Sequence, residues 1–392
     1  MCVVVVRWPV AVVAGLVVSV AVPVPRQAWA AQCLGPKPVV SAVPAELKAY
    51  APARLAGLAT GAGVRVAVVD SGVDARHPQL KGHVVAGRDF LRNEFAGRRD
   101  CVGHGTGVAG IIAAGADAGS GVQGLAPGVT IVPVRVSEQQ DIDETTATAS
   151  GGSSQTFAQG IRWAVGPGHA QVINISLVMP QESEAVESAI ADAVAAGVIV
   201  VAAAGNDGPD AGVVYPAAYP GVIGVGAVGA DGLRASYSQV GEHVDLVAFG
   251  DVTVASPVAG HQVVQGTSFA TPFVTATVAL LKQRFPRENA AQITRRLLRS
   301  VDPAPGGARS DEYGYGLLNP YRALSEEAGP VVAAAPRVVA APRRVADSSE
   351  WVRAGWFAAG GAGLAVLAGV VAVVVGRGRR RGWRAGHDRM PG

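Results

Sequence analysis

The chain has 392 residues, which is enough for one large domain or for two smaller ones. Apolar residues make up 49% of it, and the mean hydropathy of +0.30 is high for a purely soluble protein. The formal net charge is only +3, and much of the excess lies in a basic C-terminal tail, so the rest is near neutral and we expect no nucleic-acid partner.

Residues 1–30 are predicted to be a secretory signal peptide. Arg7 supplies the positive first region, Val10–Val22 is the apolar run, and Ala28-Trp29-Ala30 resembles a cleavage site. An N-terminal membrane anchor is the weaker alternative. The apolar run ends at Pro23 and is too short to span about 30 Å of hydrocarbon.

Residues 31–60 are rich in proline and alanine, show no clear period, and are predicted to form an N-terminal extension. From residue 61 onwards, near-continuous apolar runs are typical of strands buried on both faces of a sheet. The predicted strands are Val64–Val69, Thr130–Val136, Val172–Leu177, Val198–Ala204, Gly221–Val228 and Val244–Phe249. The predicted helices are Gly105–Ala114, Thr156–Val165, Glu182–Ala196, Ser268–Phe285 and Ala290–Ser300. This alternation predicts an α/β fold with a mostly parallel sheet.

The stretch Ser137–Gln155 interrupts the pattern because it is acidic, rich in serine and threonine, and has almost nothing to bury. We predict a mobile surface loop there. Residues 326–350 contain spaced prolines among alanine, valine and arginine, which predicts an extended linker.

A single transmembrane helix is predicted over residues 351–376, since no charge occurs from Ala354 to Gly376. Tryptophans lie at its outer edge, and an arginine-rich tail, 377–392, follows it. A nucleic-acid arm and a GPI signal are weaker alternatives, because the basic run directly follows the helix and the chain ends charged. We therefore expect a single-pass protein of the cell membrane, with residues 31–353 outside and the tail in the cytoplasm.

Cysteine usage fits an oxidising compartment. Cys2 is removed with the signal peptide, so Cys33 and Cys101 are expected to form one disulfide. A reactive thiol is the less favoured alternative. There is no Cys-x-x-Cys or histidine-rich spacing, so we predict no metal site and no cofactor.

Three glycine-rich segments carry an acid, a base and a nucleophile in the order Asp70, His104 and Ser268. They read Val-Val-Asp-Ser-Gly, Gly-His-Gly-Thr-Gly and Gly-Thr-Ser-Phe-Ala-Thr-Pro. A fourth segment, Ala-Gly-Asn-Asp-Gly around Asn206, lies between the last two. Each segment alone is an ordinary helix end or turn. The four together in this order indicate one active site.

The residue types assign the roles. A serine hydroxyl is a poor nucleophile until a base takes its proton, which makes His104 the candidate base for Ser268. Asp70 is expected to fix the tautomer of the imidazole. The backbone N–H of Ser268 and the side-chain amide of Asn206 are expected to form an oxyanion hole. An aspartic protease is excluded, because Asp-Ser/Thr-Gly occurs once and such enzymes need two.

These motifs closely resemble those of the subtilisin (subtilase) family of serine proteases, over residues 61–325. The resemblance implies a three-layer α/β/α sandwich with a seven-stranded type of sheet, and endopeptidase activity through an acyl-enzyme. It makes Asp70, His104 and Ser268 the triad and Asn206 the oxyanion donor.

The resemblance also implies that a protein or peptide substrate binds along Ser176, Leu177 and Val178 and beside Ala204 and Gly205. The family commonly has glycine where Val178 stands. From Val178 and the overhanging acidic loop we expect slow, narrow cleavage after small side chains such as alanine.

Within the family, the chain resembles the mycosins, which are membrane-anchored proteases associated with type VII secretion in actinobacteria. The signal peptide, the short extension, a cysteine beside His104 and the C-terminal anchor carry this resemblance. It implies an extension that wraps the catalytic domain, and a type VII secretion complex as partner. The alternative is a mainly structural role in such a complex, with proteolysis dispensable.

Overall fold

The computed structural model describes residues 33–139, 141–142, 151–326, 373–378 and 380. The chain divides into two units, Met1–Val331 and Val332–Gly392, and the described part of the second is one short helical stretch. Within the described ranges, no helix is long and apolar enough to cross a membrane. The predicted signal peptide and most of the linker, membrane helix and tail lie outside those ranges.

The first unit alternates strands and helices. Its strands are β1 (Arg65–Asp70), β2 (Arg88–Asp89), β3 (Thr130–Arg135), β4 (Val172–Ile175), β5 (Ile199–Ala203), β6 (Val222–Val228), β7 (Leu246–Phe249), β8 (Asp251–Ala255), β9 (His261–Gln265), β10 (Asp302–Pro303) and β11 (Gly316–Leu317). Its α-helices are α1 (Ala45–Tyr50), α2 (Pro52–Ala56), α3 (His104–Ala113), α4 (Ser154–Val165), α5 (Glu184–Ala195), α6 (Thr267–Arg284), α7 (Ala290–Arg299) and α8 (Pro320–Ser325).

Nine strands form the main sheet in the order β10-β11-β7-β6-β5-β4-β1-β3-β2. All neighbours pair in parallel except β10 and β11. The sheet exceeds seven strands because these two short strands extend it beyond β7. The order reverses beside β1, since β3 lies on one side of it and β4 on the other. Ligand sites of such sheets lie at the carboxyl ends of the strands at this switch point.

Two cores cover the two faces of the sheet. Val66 and Val68 of β1 belong to the core that holds α3 and α6, whereas Ala67 and Val69 belong to the core of α4 and α5. Successive strand residues point to opposite faces, so β1 is buried on both sides. This is a three-layer α/β/α arrangement, and the predicted α/β fold with a mostly parallel sheet is confirmed.

The extension lies against the hairpin of β8 and β9. Lys37 N–H donates to Ala259 O at 2.9 Å, and His261 N–H donates to Pro38 O at 3.0 Å. Helices α1 and α2, which the sequence did not predict, then pack Leu47, Tyr50 and Leu55 into the first core. The predicted disulfide between Cys33 and Cys101 is present.

The predicted strands and helices are found with their ends shifted by at most two residues. The loop prediction for Ser137–Gln155 is wrong at both ends. Ser137 and Ile142 are buried, and Ser154 begins α4. Ile142 N–H donates to Val178 O at 2.9 Å. Backbone pairing, rather than a side-chain periodicity visible in the sequence, therefore fixes the position of Ile142. Residue 140 and residues 143–150 lie outside the described part of the loop.

Candidate active site

The acid and the base come from neighbouring elements. Asp70 is the last residue of β1 and is fully buried, and His104 is the first residue of α3. His104 Nδ1 donates to Asp70 Oδ1 at 2.8 Å and lies 2.9 Å from Oδ2. Asp70 Oδ1 also accepts from Ser71 N–H at 2.7 Å. The carboxylate therefore fixes the imidazole with Nε2 as the ring atom left to act as a base.

The electrostatics of His104 favour proton acceptance. Burial lowers its pKa, but the charge and hydrogen bond of Asp70 raise it by more, so the pKa lies above the usual histidine value. The ring of Phe269 covers the imidazole at 5.0 Å between centroids. A more basic imidazole is better suited to take a proton from a hydroxyl.

Ser268 is the second residue of α6, after the N-cap Gly266 and the first helical residue Thr267. Gly266 has φ +147°, and a Cβ there would lie 3.0 Å from Ser268 Oγ and 3.6 Å from Asn206 Nδ2. Within the described residues, Ser268 Oγ and His104 Nε2 are both buried and have no hydrogen-bond partner. The sequence predicts these two atoms as the proton donor and the proton acceptor of the reaction.

Ser176, predicted in the substrate strand, also supports Ser268. Pro272 lies inside α6 and has no N–H, so it cannot bond the carbonyl of Ser268 four residues earlier. Ser176 Oγ donates to that carbonyl instead, at 2.7 Å, and accepts from Asn174 Nδ2 at 2.9 Å. The end of β4 is thereby attached to the first turn of α6.

Asn206 follows β5, and its amide is oriented by Thr267. Asn206 Oδ1 accepts from the backbone N–H of Thr267 at 2.8 Å and from its hydroxyl at 3.0 Å. Because Oδ1 is occupied, Nδ2 is the group available for another acceptor. Gly205 has φ +99°, and a Cβ there would lie 1.7 Å from Gln239 Oε1, so this turn requires glycine.

The other predicted substrate residues differ in their surroundings. Ala204 is buried, and its carbonyl lies 3.1 Å from His243 Nε2. Leu177 is buried in the second core, so its side chain does not line an open cleft. Val178 is half-buried, and its carbonyl is paired with Ile142. The stretch after β4 thus presents backbone rather than side chains.

One further feature escaped the sequence analysis. Asp100 is buried just before α3, and an acidic residue four positions before His104 was its only signal. Phe273, in contrast, stands out in the sequence as a departure from the histidine often found in the family that the chain resembles. Its ring packs on Tyr50 of the extension with 5.0 Å between centroids. Within the described part of the chain, no three His, Cys, Asp or Glu residues form a group able to hold a metal ion.

Comparison with solved structures gives mycosins among the similar folds. MycP1 from Mycobacterium smegmatis is 28% identical with a TM-score of 0.66, over 79% of this chain and 92% of that one. MycP3, the protease from the type VII (ESX-3) secretion system, is 27% identical with a TM-score of 0.63, over 74% and 91%.

Curated relatives include subtilisin NAT of Bacillus subtilis subsp. natto, which is 39% identical over 265 residues. The match covers 66% of this chain and 65% of the length of that relative. Subtilisin of Bacillus pumilus is 38% identical over 265 residues, which is 90% of its length. The Peptidase S8 family profile matches residues 61–316, more than half of the chain, and the protein therefore belongs to the subtilase family.

Proposed function

We propose that the chain is a serine endopeptidase that cleaves peptide bonds through an acyl-enzyme. The observation that carries this proposal is the paired Asp70 and His104 together with two buried atoms, His104 Nε2 and Ser268 Oγ, that have no hydrogen-bond partner in the described part of the chain. Outside catalysis, a buried polar atom without a partner is costly. A hydroxyl at the N-terminus of α6 and an imidazole nitrogen at the N-terminus of α3, both left unsatisfied among the described residues, suit proton transfer during attack.

The proposed reaction proceeds in two halves. Ser268 Oγ attacks the substrate carbonyl while His104 Nε2 takes the hydroxyl proton, and Asp70 stabilises the imidazolium. Asn206 Nδ2 and the Ser268 N–H donate to the developing oxyanion, aided by the positive end of α6. His104 then gives the proton to the leaving amine, and a water molecule activated by His104 hydrolyses the ester.

A fluorophosphonate probe tests the nucleophile directly. We expect the probe to label Ser268 alone, because only a serine activated by a base reacts with it quickly. Labelling is measured by mass spectrometry of peptides from the full chain, with Ser300→Ala as a matched variant at another helix end. Undiminished labelling of Ser268→Ala would contradict the proposal.

We further propose that substrate adds a strand beside Ser176–Val178 and that Val178 narrows the adjacent pocket. A peptide can dock on a strand edge through backbone hydrogen bonds, with pockets for alternate side chains. The Val178 carbonyl pairs with Ile142, so the acidic loop already lies against this edge. A β-branched side chain at this point leaves little room for a large residue before the scissile bond.

Peptide-library profiling of the native chain and of Val178→Gly tests this pocket. We expect cleavage after small residues such as alanine in the native chain, and a gain of cleavage after phenylalanine or leucine in Val178→Gly. Efficient cleavage after large aromatic residues in both proteins would show that Val178 is turned away from substrate.

The third proposal concerns where the enzyme acts. We propose that it is anchored in the cell membrane by residues 351–376, with its catalytic domain outside, and that it works beside a type VII secretion complex. The charge-free run and the arginines after it support the anchor. The likeness to MycP1 and MycP3 supports the secretion system.

Truncation before Trp351 tests the anchor. We expect the native chain in the membrane fraction and the truncated chain, still active, in the soluble exported fraction. The secretion complexes that copurify with the native chain are then compared with the complexes that copurify with the Ser268→Ala variant. Tight membrane association of the truncated chain would contradict the proposed anchor.

A further inference from the structure

Asp100 is a buried carboxylate that the proposed chemistry does not use. The residue is 2% exposed, yet its side chain accepts five hydrogen bonds. Oδ1 accepts from Ser71 Oγ at 3.0 Å and from the N–H groups of Val102 and Gly103 at 3.1 and 2.8 Å. Oδ2 accepts from the N–H and the hydroxyl of Thr106 at 2.8 and 2.7 Å. Every acceptor direction of this carboxylate is used.

These bonds cap the helix that carries His104. The N-cap of α3 is Gly103, which has no side chain to accept from the first N–H groups of the helix. Asp100 accepts from Thr106 N–H, in the first turn, and from Gly103 N–H. A negative charge at this end of α3 is also favoured by the helix dipole.

The same carboxylate reaches the strand that carries Asp70. Ser71, the next residue after Asp70, donates its hydroxyl to Asp100 and accepts from Gly105 N–H at 3.0 Å. Gly105 follows His104 in α3. One serine hydroxyl and one carboxylate therefore connect the backbone after the acid to the backbone after the base.

We propose that ionised Asp100 is a positioning residue that keeps His104 aligned with Asp70. This inference rests on the proposed function and names a further residue of the same site. An ionised carboxylate accepts from all five donors, whereas a protonated one must itself donate, and a backbone N–H cannot accept that proton. Protonation of Asp100 therefore breaks part of the cap and loosens the start of α3.

The charges around Asp100 affect the pH at which its carboxylate becomes protonated. Burial raises the pKa of Asp100 to about 6, and the nearby charge of Asp70 adds to the rise. The titratable groups that face it are Asp70 on β1 and His104 on α3. The adjacent Arg99 lies over the ring of Phe95 at 4.7 Å.

Two groups thus lose the form needed for catalysis as the pH falls towards 6. His104 gains the proton that makes it useless as a base, and Asp100 gains the proton that disturbs the cap. The charge of Asp100 also contributes to the raised pKa of His104. We expect the acidic limb of kcat/KM in the native chain to be steeper than one ionisation gives.

The experiment compares the full native chain with Asp100→Asn on a peptide substrate from pH 5 to 9. We expect kcat to fall about ten- to a hundredfold with KM changed less than about threefold, since misplacement of a catalytic group by about 1 Å has effects of this size. The acidic limb should become a single ionisation and move to lower pH, because the variant lacks the charge that raises the pKa of His104.

A second measurement does not depend on turnover. The titration of His104 is followed by NMR of histidine-labelled Ser268→Ala, with and without Asp100→Asn, and we expect a lower midpoint in the double variant. If Asp100→Asn fails to fold, Ser71→Ala replaces it and should lower kcat severalfold while Asp100 stays charged. Failure of the proposed function would appear separately, as absence of Ser268 labelling in the native chain.

Asn289→Ala is the matched control, since it removes the capping box of α7, far from the site in sequence. It should lower the melting temperature and leave both the pH profile and the His104 midpoint unchanged. The proposal is overturned if Asp100→Asn has native kcat within twofold and an unshifted His104 midpoint.

Discussion

Alanine in place of Ser268 or His104 is expected to lower kcat by about a millionfold, the size of the loss when a subtilisin triad is dismantled. Without Ser268 no acyl-enzyme forms, and without His104 no group takes the hydroxyl proton, because the described contacts of Asp70 are to His104 Nδ1 and to Ser71 N–H and none is to Ser268 Oγ. Since each residue is useless without the other, Ser268→Ala with His104→Ala should cost hardly more than either change alone. Single-turnover kinetics on a peptide substrate measure all three variants.

A change at Asn206 separates the binding of the oxyanion from the transfer of the proton. The Asn206 amide acts on the oxyanion rather than on the proton, so Asn206→Ala should cost about 100- to 1,000-fold in kcat with little change in KM. Ser300→Ala, at a buried serine whose hydroxyl donates to Leu297 O of α7, should keep kcat within about twofold. Additive losses from Ser268→Ala and His104→Ala would contradict a shared proton-transfer unit.

The positions of Asp70, His104, Ser268 and Asn206, which we propose as catalytic, could be predicted from sequence because each lies at a local boundary with its own signal. Asp70 ends an apolar run, His104 and Ser268 begin helices after glycine, and Asn206 follows a buried strand. Parallel strands share one carboxyl edge, so residues at such boundaries meet in space. The sequence motifs and the sheet topology therefore place these residues at the same site.

Contacts that depend on partners distant in sequence were not predictable in the same way. The carbonyl of Ser268 needs Ser176 only because Pro272 lacks an N–H, and that pairing joins residues 92 positions apart. Asp100 is polar and sits in an irregular segment, where exposure is the ordinary expectation. Only the folded chain shows that Ser71 and Thr106 surround it.

The two helices of the N-terminal extension were not predicted from the sequence for a related reason. Helices α1 and α2 have six and five residues, too short to show a helical period. They are stable because the catalytic domain buries Leu47 and Leu55 and because Glu46 accepts from Thr253 N–H at 2.9 Å. Packing against a distant surface, rather than propensity, fixes this segment.

Removal of the Cys33–Cys101 disulfide, by serine at both positions, is expected to lower the free energy of unfolding by about 4 kcal/mol. The two cysteines are 68 positions apart, and closing a loop of that length removes about this much chain entropy from the unfolded state. Denaturant unfolding of the native chain, under oxidising conditions, and of the serine variant should show the loss as a lower midpoint, with a steeper slope in the variant because its unfolded chain is less compact.

Activity should respond much less than stability to the same change. Cys101 directly follows Asp100, whose five hydrogen bonds hold this loop to α3 without help from the disulfide. The released part is the start of the extension, where Leu34 N–H donates to Cys101 O and Lys37 N–H to Ala259 O. Hydrogen exchange at those two amides should therefore speed up while kcat of the folded enzyme stays within about threefold. A loss of kcat matching that of Asp100→Asn, at temperatures where the serine variant is folded, would show that the disulfide rather than the carboxylate fixes the start of α3.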